Sequence, residues 1–141
     1  MEGKVLNTIS GDEFVTYLKE ALHNAGDGVI RRLTMNTGKH ELTVEFSVES
    51  PEGWVNIEIT CMKVSEFRIR QKNNTDIQVI YCMDVQKIEN QYWLDFDCWS
   101  PNDDVEMFRK SDFYISCGDC VVRVLPYMSD SPIDVQLSAK D

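Results

Sequence analysis

The chain has no apolar run approaching the ~20 residues that cross a bilayer as a helix. Its amino terminus, Met1-Glu2-Gly3-Lys4-Val5-Leu6, lacks the apolar stretch of a secretory signal. These absences argue against a membrane partner and make a cytoplasmic location the expectation. Histidine is scarce: His23 falls on a predicted helix and His40 in a turn, too scattered to imply a shared metal or a general base. There is no G-x-S-x-G elbow, no P-loop and no dinucleotide fingerprint. No catalytic residue, metal or cofactor is therefore assigned, and a non-enzymatic role is expected.

Positive charge is also in short supply. Fourteen basic residues stand against 24 acidic ones, a formal net charge of −10. Such a surface repels phosphate backbones, which argues against nucleic acid. It would attract a basic protein, with the attraction weakening as salt rises, although many solvated domains are acidic without any such partner.

Five cysteines, Cys61, Cys82, Cys98, Cys117 and Cys120, cannot all pair within one chain, and an odd count with no leader suggests reduced thiols. Cys61 and Cys98 fall on apolar strand faces, where cysteine serves as a small hydrophobe. Cys117-Gly118-Asp119-Cys120 is a solitary CxxC with no second pair to complete a zinc site. Its position between two apolar runs predicts a hairpin turning on Gly118-Asp119, with a redox-sensitive pair as the alternative.

Ser10-Gly11-Asp12-Glu13 has the form of a capping box. The run behind it sets Phe14, Leu18, Leu22 and Ala25 on one stripe and stops at Gly26, which predicts one amphipathic helix over about residues 11–25. From Val29 the period changes to two. Leu42, Val44, Phe46 and Val48 form one core face, and Val55, Ile57, Ile59 and Cys61 form the next beyond a turn at Ser50-Pro51-Glu52-Gly53. Phe67 and Ile69 start a third run. Asn73-Asn74-Thr75-Asp76 reads as a turn, and Ile77 to Met83, apolar on both faces, as a central strand. Spacings this short leave no room for parallel crossovers. The expected fold is α+β, mostly β, over a single domain of residues 1–141. It consists of an antiparallel sheet, rolled or paired as a sandwich, with strands between about 29 and 126 and the N-terminal helix attached. Residues 127–141 either add an edge strand or stay mobile.

The segment Tyr92 to Trp99 alternates two kinds of side chain. Tyr92, Leu94, Phe96 and Cys98 mark a core face, while Trp93, Asp95, Asp97 and Trp99 share the other. Asp is disfavoured in strands and large aromatics are seldom left in water without a reason. That face is either a recognition surface or covered by another part of the chain, and it is also a candidate homodimer face. As a recognition surface, Trp93 and Trp99 are hot-spot residues and Asp95 and Asp97 steer a basic protein, with Glu41, Glu45 and Glu49 adding negative charge from a polar strand face. Stacking of single-stranded RNA on the indoles is opposed by the interleaved acids. The alternative is a small carbohydrate-binding protein or hydrolase: Asp95 and Asp97 stand roughly 7 Å apart, a separation found in inverting glycosidases, between indoles able to stack on sugar rings. A further structural account pairs the two acids with Arg68 and Arg70 as a cross-strand ladder.

The order Trp54-Val55-Asn56-Ile57, Phe67-Arg68-Ile69-Arg70-Gln71, Tyr92-Trp93-Leu94-Asp95-Phe96 and Ser111-Asp112-Phe113-Tyr114 resembles small β-rich bacterial proteins. Among these are immunity proteins encoded beside polymorphic or contact-dependent toxins, and the resemblance extends from about Leu42 to Pro126. It implies a small cytosolic antidote that binds a basic toxin domain and blocks its active site. It carries over no catalytic or contact residue.

Overall fold

The computed structural model describes residues 5–71, 77–128 and, for the backbone, 134–138. In chain order the elements are β1 (Asn7–Ser10), helix α1 (Gly11–Glu20), β2 (Gly28–Asn36), β3 (Glu41–Ser50), β4 (Gly53–Ile69) and β5 (Val79–Ile80). There follow β6 (Asp84–Ile88), β7 (Gln91–Asp95), the short helix α2 (Val105–Phe108), β8 (Phe113–Pro126) and β9 (Asp134–Ser138). The architecture is α+β and mostly β, an antiparallel sheet curled into a half-barrel. Strands lie in the order β5-β2-β3-β4-β8-β7-β6, with β1 pairing β8 and β9 pairing β2. The β2–β9 pair is parallel, and the others are antiparallel. No helix among the described residues is long and apolar enough to cross a membrane.

Local chemistry explains the start of the chain. Ser10 Oγ accepts the Glu13 amide and Glu13 Oε1 accepts the Ser10 amide, so the capping box forms as the sequence predicts. Phe14, Leu18 and Leu22 enter the same buried cluster as Val44, Phe46 and Ile57 from the sheet. Burying side chains of this size is worth about 1.5–3 kcal/mol each. Gly11 is required by close approach: a Cβ there would lie 2.7 Å from both Cys120 Sγ and Tyr92 Cζ. The α-helix is shorter than the expected 11–25. It ends at Glu20, and His23, Asn24 and Ala25 follow in a left-handed turn with φ between 49° and 60°. That turn buries Ala25 and directs the Asn24 carbonyl to the Met83 amide at 2.7 Å.

The β3–β4 hairpin matches its prediction, with Leu42, Val44, Phe46 and Val48 opposite Cys61, Ile59, Ile57 and Val55. Gly53, at φ 106°, supplies the turn conformation that an L-side chain resists. Three other expectations are corrected. Phe67–Ile69 is the far end of the 17-residue β4 and not a separate strand. Lys63 adopts a left-handed φ of 57° and the register shifts between Val64 and Glu66, which interrupts the alternation without ending the strand. Opposite this irregularity, β8 runs straight through Cys117–Cys120, so no hairpin forms there. Gly118 makes room for the β4 bulge, since a Cβ on it would sit 3.2 Å from that of Lys63. Finally, only Val79–Ile80 of the apolar 77–83 run is a strand, and it lies at the sheet edge against Gly28 and Val29. Of the predicted tail, β9 is an edge strand. Residues 129–133 and 139–141 lie outside the described residues, as does the turn predicted at Asn73–Asp76.

Candidate functional site

The Trp/Asp quartet does not form one face. Strand β7 stops at Asp95, so the alternation carries only Trp93 and Asp95, while Asp97 and Trp99 belong to the loop beyond. Both strand residues are covered by the next segment of the chain. Trp93 is 5% exposed. Its ring stacks on Tyr114 with centroids 6.2 Å apart and meets Phe108 of α2 at 5.8 Å. The Arg109 guanidinium lies 5.3 Å from the indole centroid and is itself paired with Glu66 and Glu106. Glu66 also accepts the Tyr114 hydroxyl at 2.9 Å, and its carboxyl is held below the usual range chiefly by the Arg109 hydrogen bond. A second, smaller aromatic cluster thus sits apart from the main core.

Asp95 is 2% exposed and serves as a loop anchor. Its Oδ1 accepts the Ser111 hydroxyl at 2.6 Å and the Asp97 amide at 2.9 Å, and its Oδ2 accepts Asn102 Nδ2 at 3.1 Å. Asn102 also gives its amide and side-chain N–H to Asp84 Oδ2, at 2.8 and 2.9 Å. Gln86 donates to Asp84 and to the Asn102 carbonyl. Burial pushes the Asp95 carboxyl above its ordinary range, and the neighbouring Asp84 adds to this, against the opposing hydrogen bonds from Ser111, Asp97 and Asn102. The network satisfies two buried acids and fixes the path of the loop that carries Trp99.

The postulated ladder to arginine does not form, because β8 lies between β4 and β7. Arg68 donates to the carbonyls of Arg109 and Ser111, and Arg70 binds Asp112 at 2.7 Å. The three acids on β3 do not share one setting. Glu45 is buried, accepts Asn56 Nδ2 at 2.8 Å and lies 3.6 Å from Arg32. Glu41 is half-buried, and Glu49 is exposed at the end of its strand.

Trp99 is 90% exposed and stacks on Tyr81, itself 64% exposed, with centroids 6.0 Å apart and planes 14° from parallel. Beside Trp99 lies an open cleft of about 390 Å³ whose lining includes Asp97, Ser100, Met107, Lys110 and Asp112. Asp103, Asp104 and Glu106 are exposed on the adjoining loop and on α2. Tyr81 was not singled out by sequence patterning. The signal available was a pair of aromatic–cysteine neighbours, Tyr81-Cys82 and Cys98-Trp99, brought together where the β6–β7 ladder ends.

Among the described residues no group of three or more His, Cys, Asp or Glu is arranged to hold a metal ion. Cys117 and Cys120 face the core, and their thiols are pushed far above the ordinary range. For Cys120 the first cause is the hydrogen bond with Cys117, and burial comes second. For Cys117 the Cys120 bond acts in the opposite sense and is outweighed by a hydrogen bond with Cys61 and by burial. No protein-family model, curated protein or solved structure matches the chain.

Proposed function

We propose that this chain is a non-enzymatic protein-binding module whose contact surface centres on Trp99 and Tyr81. The observation that carries the reading is the Trp99 indole, almost wholly in solvent yet held flat against a second exposed ring. Large aromatics are the side chains most often found at interface hot spots. Asp97 and Lys110 at the cleft give the surface polar surroundings, and the net charge of −10 favours a basic partner. A partner arginine would stack on the indole while the chain's surplus of acids balances its charge. The concrete form of this reading is an immunity-type inhibitor of a basic toxin domain. It draws on the acidic net charge and on the resemblance to immunity proteins. Trp93 and Asp95, enclosed by their own chain, act in it by holding the loop and not by touching the partner.

The test is the affinity for a basic domain encoded beside this chain's gene. Trp99→Ala should weaken binding about 30-fold or more, the scale of a hot-spot residue. Raising salt should weaken the wild-type complex further. Unchanged affinity in the variant, or binding indifferent to salt, contradicts the proposal. A second reading, sugar binding, draws on the same stacked rings, because a flat aromatic platform suits a pyranose face. A glycan array probed with wild type and Trp99→Ala separates the two. In that reading too, Asp95 supports the loop, because its carboxylate is enclosed by Ser111, Asn102 and the Asp97 amide.

A further inference from the structure

Beneath the stacked rings lies a second pair. Cys82 and Cys98 are adjacent where the β6–β7 ladder runs out, just past its last register pair, Asp84 opposite Asp95. The Cys98 amide donates to the Cys82 carbonyl at 3.3 Å, and the Cys98 thiol donates to Cys82 Sγ at 2.8 Å. Two unbonded sulfurs rarely approach so closely, and little movement separates them from the ~2.05 Å of a covalent bond. Cys82 is half-buried and open to a small reagent, whereas Cys98 is buried behind it. The molecule's other three cysteines contrast with this pair. Cys61, Cys117 and Cys120 are all buried, with Gly11 packed directly on Cys120.

We propose that Cys82 and Cys98 form a thiol–disulfide exchange site that closes reversibly on reaction with a low-molecular-weight disulfide. Cys82 is the entering thiol and Cys98 the resolving one. In the first step the Cys82 sulfur attacks one sulfur of the reagent, RSSR. The reagent's S–S bond breaks, a Cys82–S–S–R mixed disulfide forms, and RS⁻ leaves with the Cys82 proton as RSH. In the second step the Cys98 sulfur attacks the Cys82 sulfur, the mixed disulfide breaks, and a second RSH leaves with the Cys98 proton. The dithiol is oxidised by two electrons and RSSR is reduced to two RSH, so the reaction balances and a dithiol reductant reverses it. Burial holds the Cys98 thiol protonated above the ordinary range, which keeps it from reacting first, and its contact with Cys82 Sγ at 2.8 Å is what makes it the resolving thiol. The bond joins the residues adjoining Tyr81 and Trp99, so closing it staples together the two segments that carry the stacked rings. This inference concerns the thiols alone and does not depend on the protein-binding reading.

The experiment uses the folded full chain in glutathione buffers of increasing oxidised fraction, quenched in acid and mapped by non-reducing peptide mass analysis. Wild type should lose two hydrogens and yield a Cys82–Cys98 linked peptide, while Cys61, Cys117 and Cys120 remain free to alkylate after unfolding. Closing this loop, whose ends are 16 residues apart, should raise the melting temperature by about 10 °C. Cys98→Ser should retain glutathione on Cys82, and Cys82→Ser should leave Cys98 unmodified. A wild type whose Cys82 stays fully reduced in predominantly oxidised buffer overturns the proposal. So does a stable glutathione adduct on wild-type Cys82, or a link between Cys117 and Cys120 instead. The wild-type map decides the matter even if a variant folds poorly.

Discussion

Trp93 and Trp99 are six positions apart in one alternating pattern, yet they end in opposite environments. Trp93 lies on β7 and is enclosed between Tyr114, Phe108 and the Arg109 guanidinium. Trp99 lies beyond the strand and presents its ring to solvent. The side chain is the same, and the difference comes from the elements downstream of β7. Helix α2 returns over the outer face of β7 and covers Trp93, while bonds from Asp97 to Asp95 and from Asn102 to Asp95 and Asp84 hold the loop on either side of Trp99. An outward-facing strand position is therefore not an exposed one until every later segment has been placed. Acids show the same division: Asp95 anchors a loop, and Asp103 and Asp104 remain in water.

The two ends of this segment should separate most sharply in stability. Trp93→Ala removes the centre of the smaller aromatic cluster, and chemical denaturation should register a loss of about 3–5 kcal/mol. A loss below about 1 kcal/mol would mean that α2 does not cover this ring as described. Asp95→Ala comes next. It strips partners from the Ser111 hydroxyl, the Asp97 amide and Asn102, and should cost about 1–3 kcal/mol. The same variant should loosen the loop, seen as faster amide exchange at Asp97 and Asn102.

Titration sharpens the comparison, because the two regions respond to pH in opposite senses. Asp95's folded pKa is raised by burial, so its contribution to stability is present below the unfolded value and is lost as pH rises through the folded one. Glu66's folded pKa is lowered, first by Arg109, so its contribution is present above the ordinary glutamate range and is lost as pH falls through the folded value. The Glu66 effect should be small, at most about 1 kcal/mol, because the pair is partly exposed. Urea midpoints measured across the acidic range for wild type, Asp95→Asn and Glu66→Gln check both signs. Each variant should flatten only its own limb. The smallest expected effect is that of Trp99→Ala on stability, within about 0.5 kcal/mol of wild type, as befits a ring already in solvent.

How much the sequence disclosed depends on the range of the interaction responsible. The capping box, the β3–β4 register and the mainly antiparallel sheet were legible because neighbouring residues determine them. The path of β8 was not. Gly118-Asp119 has hairpin composition, but the glycine answers the bulge at Lys63 on another strand. The early end of α1 depends on the left-handed turn that lets Asn24 meet Met83, a long-range bond that no helical periodicity reveals. Of the candidate contact residues, Trp99 and Glu49 remain at the surface. Trp93, Asp95 and Glu45 are buried by elements whose placement no local pattern contains. Tyr81 went unnoticed because its run, apolar on both faces, has the look of a central strand.

The most direct test of the account is collisional quenching of tryptophan emission by acrylamide in two variants that each retain one of the two indoles. Both carry Trp54→Phe, since Trp54 is partly exposed beside Tyr127. The protein with Trp99 alone should be quenched nearly as fast as a free indole and become shielded when a basic partner binds. The protein with Trp93 alone should resist quenching. Equal accessibility of the two rings, or a Trp99 signal that stays open to quencher in the complex, would contradict the account.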